Sequence, residues 1–413
     1  MNGLATDPAE KRLSLLIPLY AGYRQWFGGM NYIVNMLRIL ERLPPSEAPD
    51  VTVFDDAAGE WPDYVRTACT GSNVARVVGP GGTLLWMRDD KERQRLESIE
   101  PHARRRRLAM AADAIFPMPF SQHEAITTAR HWAWIPDFQH RYLPHLFPAR
   151  ELAERDSVFA ALADREGPIL FSSRDAEADF RRFYPDHRSR PYVWSFTSTL
   201  DSGSGEDPRL VRERYHLPET YLYIPNQFWI HKDHETAFKA VERLCGQGMP
   251  LALACTGSSA DPRGDSHYAG LFEWVAARGL QNRIRHLGVV EQSTQIGLLR
   301  GCTAVLQPSL FEGWSTVIED ARAIGCPIIA SDLPVHREQL GEDAFYFQAG
   351  NPEDLSSVLA GVLPLLSPGP VAEREQEASR RSKQRQLTCA RALLACMHAD
   401  IAARPTQDGG NRH

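Results

Sequence analysis

Thr303–Gln307 is an apolar run of strand type. Beyond it come Phe311-Glu312-Gly313-Trp314, a helix starting at Ser315 or Thr316, and a second apolar strand at Pro327–Ala330. A carboxylate just past a strand end, followed by a helix whose first amides point back at it, suits an anionic, polyhydroxylated ligand. Two further carboxylates follow on the helix. At about 3.6 residues per turn, Val317, Ile318, Ala321, Ile324 and Gly325 share one side, Glu319 points away from it, and Asp320 sits at its rim. Thr316-x-x-Glu319 matches a capping box, with Arg322 as a surface partner for the glutamate. Asp320 is therefore expected to face the ligand and Glu319 to serve its own helix.

A second chemical element is the polar loop Asn226-Gln227-Phe228-Trp229-Ile230-His231-Lys232, between a strand at Tyr221–Pro225 and an amphipathic helix at Asp233–Cys245. Together the two stretches resemble the retaining, two-domain (GT-B) glycosyltransferases of family 4, the "glycosyltransferase group 1" type. Aligned on Glu312-Gly313 and Asp320-Ala321 against the family's Glu-Gly-x-x-x-x-x-x-Glu-Ala motif, the chain has the first Glu at Glu312, while the second carboxylate is either Asp320, at the family spacing, or Glu319, one residue early. In the family's Gly-Arg-x-x-x-x-Lys loop, Lys232 falls on the lysine, Gln227 on the arginine and Asn226 on the glycine. Gln can donate a hydrogen bond to a phosphate but brings no charge. At an effective dielectric of about 20, a cation at about 4 Å is worth roughly 4 kcal/mol before desolvation, so His231 and the helix amides are expected to compensate.

Other family positions follow in order. Trp132–His140 resembles the region where the family places a histidine near the donor sugar, often directly before an Asp. Here Pro136 precedes Asp137, and His140 takes the catalytic histidine's place, although a lone histidine among aromatics also suits a hydrogen-bonded core. Gly28 and Gly29, in the loop Ala21–Gly29 after the first strand, form either a cleft loop or a plain tight turn. Gly257, Gly288 and Val289 at strand ends, with Gly313, Trp314, Ser315 and Thr316, complete the implied nucleotide wall.

The resemblance implies transfer of a sugar from a nucleotide-diphosphate sugar, GDP- or UDP-linked, to a hydroxyl of a glycan or lipid-linked glycan with retention of configuration. Lys232, Glu312 and His140 would be the catalytic set. Glu312 would hold donor-sugar hydroxyls and Asp320 the ribose. Lys232, Gln227 and the amides near Ser315–Val317 would stabilise the diphosphate, so no metal or other cofactor is expected; no Asp-x-Asp motif occurs. A nucleotide-sugar epimerase of related fold, or a non-catalytic nucleotide-sugar-binding protein, would use the same pocket.

Positioning such groups takes an α/β framework. Candidate strands at Leu13–Leu19, Val51–Phe54, Ala75–Val78, Asp113–Phe116 and Ile169–Ser172 alternate with helical patterns, among them Arg93–Ala111 and Arg150–Ala163, as in a doubly wound sheet. The second half repeats this rhythm. The expected organisation is α/β of GT-B architecture: an acceptor-side Rossmann-like domain at 1–197, a turn-rich linker at 198–208, and a nucleotide-sugar domain at 209–368. Terminal helices at 369–404 cross back to the first domain, and a polar tail at 405–413 is expected to be disordered.

At 413 residues, 43% hydrophobic, the chain can build two cores. A net charge of −6 argues against a generic nucleic-acid binder. Seven cysteines without a CxxC pair read as free thiols in a reducing compartment. With no signal peptide or membrane span evident, the expected location is cytoplasmic, with any membrane contact peripheral at the inner face of the plasma membrane. The run Arg104–Arg107 reads as a solvated helix face, and would otherwise attract a phospholipid surface or an anionic acceptor. Spacing reveals neither the oligomeric state nor the identity of the sugar.

Overall fold

Short apolar runs such as LLIPL and AVLQ are buried on both faces, which is what parallel strands flanked by helices require. In the computed structural model, which describes residues 12–20, 27–55, 61–117, 130–261 and 266–404, these runs build two α/β lobes. The loop residues 21–26 and the tail 405–413 lie outside the described residues.

In the first lobe, β1 (Ser14–Leu19), β2 (Asp50–Asp55), β3 (Val74–Val78), β4 (Leu84–Met87) and β5 (Ala114–Ile115) form a sheet of order β4-β3-β2-β1-β5. Its pairs are parallel except β3 with β4. A parallel bridge from Ile115 to His131 leads to a smaller parallel sheet of β6 (Ala133–Ile135), β7 (Pro168–Phe171) and β8 (Arg190–Val193). The second lobe is a six-stranded parallel sheet of β9 (Leu222–Ile224), β10 (Leu253–Cys255), β11 (Ile284–His286), β12 (Ala304–Gln307), β13 (Ile328–Ser331) and β14 (Phe345–Phe347). Its order is β11-β10-β9-β12-β13-β14. Strand order reverses between the adjacent β9 and β12, so their exit loops leave toward opposite faces and open a crevice between them. The α/β class expected from the sequence, with two Rossmann-like halves, is the one observed.

Two helical expectations change. Arg93–Ala111 is not one helix but two, Asp90–Glu97 and Pro101–Ala111. Glu100 caps the second by accepting from the amides of His102 and Ala103, and Pro101 takes its first position, where a missing N–H costs nothing. The arginine run is correspondingly uneven. Arg104 is buried and donates to the carbonyls of Leu96, Gly82 and Ile99, tying the break between the helices to the strand connection, while Arg105 lies over the Phe54 ring.

The helix Ala372–Ala403 spans both lobes. Its start packs against the end of the helix Thr316–Ile324 and ion-pairs through Glu375 with Arg300 at 2.9 Å. Its apolar second half, with Ala390, Leu393 and Met397, enters the first-lobe core beside the helix Phe27–Leu40. There the Cys389 carbonyl accepts from Trp194 Nε1 and Asp400 pairs with Arg190 at 2.6 Å. The segment entering the turn-rich stretch is anchored as well. Thr197 and Ser198 are buried, Gln386 donates to the Ser198 carbonyl, and the Phe196 carbonyl accepts from Trp314 Nε1. Among the described residues no helix is long and apolar enough to cross a membrane.

Candidate active site

The reversal point brings the exit loops of β9 and β12 together. After β9 the chain makes a short turn at Ile230–Lys232 and enters the left-handed region at Asp233 (φ 49°), whose carboxylate caps the helix His234–Gly246 through the Thr236 amide. This turn presents Lys232. After β12, Phe311-Glu312-Gly313 crosses the same crevice, and Lys232 Nζ lies 2.6 Å from Glu312 Oε1.

Glu312 is 9% exposed, and one of its oxygens carries three donors. Besides Lys232, Oε1 accepts from Gln307 Nε2 at 2.8 Å and Ser309 Oγ at 2.7 Å. Gln307 is held in turn by Asn226 Nδ2 at 2.9 Å, and the Ser309 carbonyl by Ser331 Oγ at 2.6 Å. Burial pushes the Glu312 carboxyl up, but the cationic fields of Lys232, His231 and His336 outweigh it and hold the group at about 2. A fixed carboxylate with Oε2 left over is thus presented beside an ammonium, an arrangement that can take sugar hydroxyls and a phosphate side by side.

These groups open on a cavity of about 770 Å³ between the lobes. The second lobe contributes Trp229, His231, Lys232, Phe311, Glu312, Gly313, Trp314 and Thr316; the first contributes, among others, Gly28, Tyr32, Trp134, Asp137 and Glu154. The helix after Trp314 is capped by Ser315, whose Oγ accepts from the Ile318 amide, while the Ser315 amide goes to Gln339 Oε1. That leaves the first-turn amides of Thr316 and Val317 for a ligand. Among the described residues no three His, Cys, Asp or Glu side chains gather as a metal site requires.

The remaining residues expected at the site divide sharply. Gly28 lines the cavity, whereas Gly29 is buried and does not. Asn226 is buried under Gln307, and Gln227 lies off the cavity. Gly257 and Gly288 serve the strand ends. Gly257 (φ 131°) brings its backbone so close to Asn226 that a Cβ would stand 2.5 Å from the Asn226 carbonyl oxygen, and its amide donates to Gly288. Val289 beside them is 78% exposed, outside the cavity.

Three expected placements change. His140 is 1% exposed, packed between Phe138 and Phe159, with Nε2 3.0 Å from Asp156 Oδ1. It belongs to the first-lobe core because the short helix Gln139–Tyr142 turns it inward, away from the cavity. The expected capping box at Thr316 is also absent. The cap is Ser315, one residue earlier, so Glu319 falls beyond the box and is buried, bonded to Arg322 at 3.0 Å and within 3.4 Å of Gln339 Nε2. Asp320 points to the chain between the lobes, where its Oδ1 accepts from Ser198 Oγ at 2.6 Å, and it does not line the cavity. The residues that sequence reasoning passed over are Gln307, Ser309 and Gln339. A glutamine closing the apolar run Ala304–Gln307 was the visible signal, since a polar side chain at a buried strand end needs a partner.

The family model "Glycosyl transferases group 1" matches residues 213–379. A search of curated sequences finds no match. Among solved structures, Anabaena Alr3699/HepE in complex with UDP and glucose is similar, with a TM-score of 0.65 at 15% identity, covering 94% of this chain and 100% of that one. The same protein with UDP-glucose scores 0.64 at 14% identity, with coverage of 94% and 100%. Sucrose-phosphate synthase from Thermosynechococcus elongatus scores 0.61 at 13% identity, covering 95% and 100%. The chain therefore has the fold of the GT-B glycosyltransferases, with a glycosyl transferases group 1 segment in its second lobe.

Proposed function

We propose that the protein is a retaining glycosyltransferase of family 4 that moves a sugar from a nucleotide-diphosphate sugar to a hydroxyl of a glycan or lipid-linked glycan. The observation that carries this reading is the Lys232–Glu312 pair at the strand-order reversal, opening on a cavity shared by both lobes. The donor is UDP-linked in this reading, since similar folds were solved with UDP and UDP-glucose.

In this reading the main task is to stabilise charge developing on the departing diphosphate. Lys232 supplies the cation and the amides of Thr316 and Val317 supply preorganised dipoles; Gln227 contributes a hydrogen bond at most, since it lies off the cavity. Glu312, fixed through one oxygen, offers the other to donor-sugar hydroxyls. With Lys232 and a helix N-terminus taking the charge, a divalent metal is not required. The reacting hydroxyl attacks on the face the diphosphate leaves, and the departing phosphate oxygen takes its proton. Residues 1–197 would hold the acceptor, 209–368 the donor, and the helix after 369 would strap the lobes together.

The test is calorimetric titration of UDP, GDP and UDP-glucose, followed by NMR of the product's anomeric centre and an assay in EDTA. UDP binding, a product with the donor's configuration and activity that survives chelation are expected. Failure of both nucleotide diphosphates to bind would end this reading.

A further inference from the structure

Gly313 and Asp137 belong to different lobes and meet. A Cβ on Gly313 would stand 2.5 Å from the Pro136 carbonyl oxygen and 2.8 Å from Asp137 Cβ, so the Glu312-Gly313 backbone runs directly against Pro136-Asp137. This contact brings the Asp137 side chain to the cavity that Lys232 and Glu312 line. Asp137 Oδ1 accepts from the Gln139 amide at 2.9 Å, a local turn that fixes the carboxylate and leaves Oδ2 for a ligand.

The other first-lobe carboxylates on this cavity are already engaged. Glu151 holds Arg155 at 2.9 Å and Glu154 holds Arg150 at 2.7 Å, whereas Asp137 carries no salt bridge among the described residues. An ionised carboxylate only accepts hydrogen bonds, and it accepts them from hydroxyls more strongly than a neutral group does. Glu312 across the crevice is neutralised by Lys232 at 2.6 Å, so Asp137 is the carboxylate that would disfavour an anionic acceptor group set against it and favour a hydroxyl of an uncharged, polyhydroxylated one.

We propose, resting on the transferase reading above, that Asp137 orients the acceptor by accepting a hydrogen bond from a hydroxyl next to the reacting one on an uncharged sugar ring. The reacting oxygen forms its bond to the anomeric carbon as the anomeric carbon–oxygen bond to the diphosphate breaks. The electron pair leaves with the diphosphate, and the departing oxygen takes the reacting hydroxyl's proton. One proton cannot serve both that oxygen and Asp137, which is why the carboxylate acts on the neighbouring hydroxyl.

The experiment uses the full chain, UDP-glucose as donor, p-nitrophenyl hexosides as acceptor probes and water as the competing acceptor. Asp137→Asn keeps the turn to the Gln139 amide and is expected to fold. It should lower the ratio of transfer to hydrolysis at least tenfold and weaken hexoside binding to the UDP-loaded protein at least fivefold. Its Kd for UDP-glucose and its hydrolysis rate should stay within twofold of wild type, because water has no neighbouring hydroxyl to hold. A phosphorylated hexoside should bind the wild type more weakly than its neutral parent. An unchanged ratio with unchanged hexoside affinity overturns the proposal, and so does a parallel loss of hydrolysis, which would move Asp137 to the donor side. Failure of the wild type to bind UDP-glucose is read before any variant is made and would instead remove the transferase reading itself.

Discussion

Ser198, in the chain joining the lobes, donates through Oγ to Asp320 Oδ1 at 2.6 Å, so a carboxylate of the second lobe is spent on holding the connection to the first. Burial and the nearby Glu319 push the Asp320 carboxyl up to about 7, with the Ser198 bond acting the other way. A carboxyl whose folded pKa is raised favours the folded state fully below its unfolded pKa, near 4, and loses that contribution as pH rises toward 7. Asp320→Asn, which still accepts from Ser198, should flatten the fall in melting temperature between pH 4 and 7 and melt higher than wild type at pH 8. Thermal unfolding across pH checks this, and identical slopes for the two proteins would show that Asp320 does not titrate as described.

Removing Lys232 should act on both chemistry and fold. Loss of a strong electrostatic donor costs roughly 2–4 kcal/mol of transition-state stabilisation, about thirty- to a thousandfold in kcat/KM. Glu312, held at about 2 largely by Lys232, stabilises the fold above its unfolded pKa and loses that contribution as pH falls from about 4.5 toward 2. Lys232→Ala should therefore lower stability at pH 7 and weaken this acid limb. Denaturant melts at pH 3, 5 and 7 decide it; full activity in a folded Lys232→Ala protein would take the lysine out of the site.

Gly313→Ala tests how tightly the lobes meet. Its Cβ would meet the Pro136 carbonyl oxygen at 2.5 Å, and because that atom is backbone the lobes must separate to admit it. The expected result is a larger radius of gyration by small-angle scattering and at least a tenfold loss of turnover, since small misplacements of reacting groups are costly. A protein with wild-type scattering and turnover would mean that the contact yields at no cost.

His140 should matter to folding and not to chemistry. Its ring is buried among Phe138 and Phe159 and bonded to Asp156, so His140→Ala should cost about 2–4 kcal/mol of stability through the cavity and the lost bond. Nucleotide-sugar affinity should hold, as titration of UDP-glucose at a temperature where both proteins are folded will show. A selective loss of turnover without loss of stability would return the histidine to the site.

The sequence by itself determined the framework, because period and punctuation are local. Continuous apolar runs such as Leu13–Leu19 and Thr303–Gln307 announce strands buried on both faces. The strand, Glu312 loop and helix appear where expected, as do the turn that presents Lys232 and the apolar late half of the last helix. What only the tertiary structure decided is where a polar side chain turns when two local readings are nearly equal. Ser315 rather than Thr316 caps the helix because Gln339, 24 residues on in another helix, takes the Ser315 amide and carbonyl. That register sends Asp320 to Ser198 and buries Glu319 beside Arg322, and neither partner can be weighed from spacing alone. His140 follows the same logic. Its neighbours Phe159 and Asp156 lie on a separate helix, and only packing that helix against β6 and β7 turns the ring inward, while Asp137, three residues earlier, and Gln139 reach the cavity.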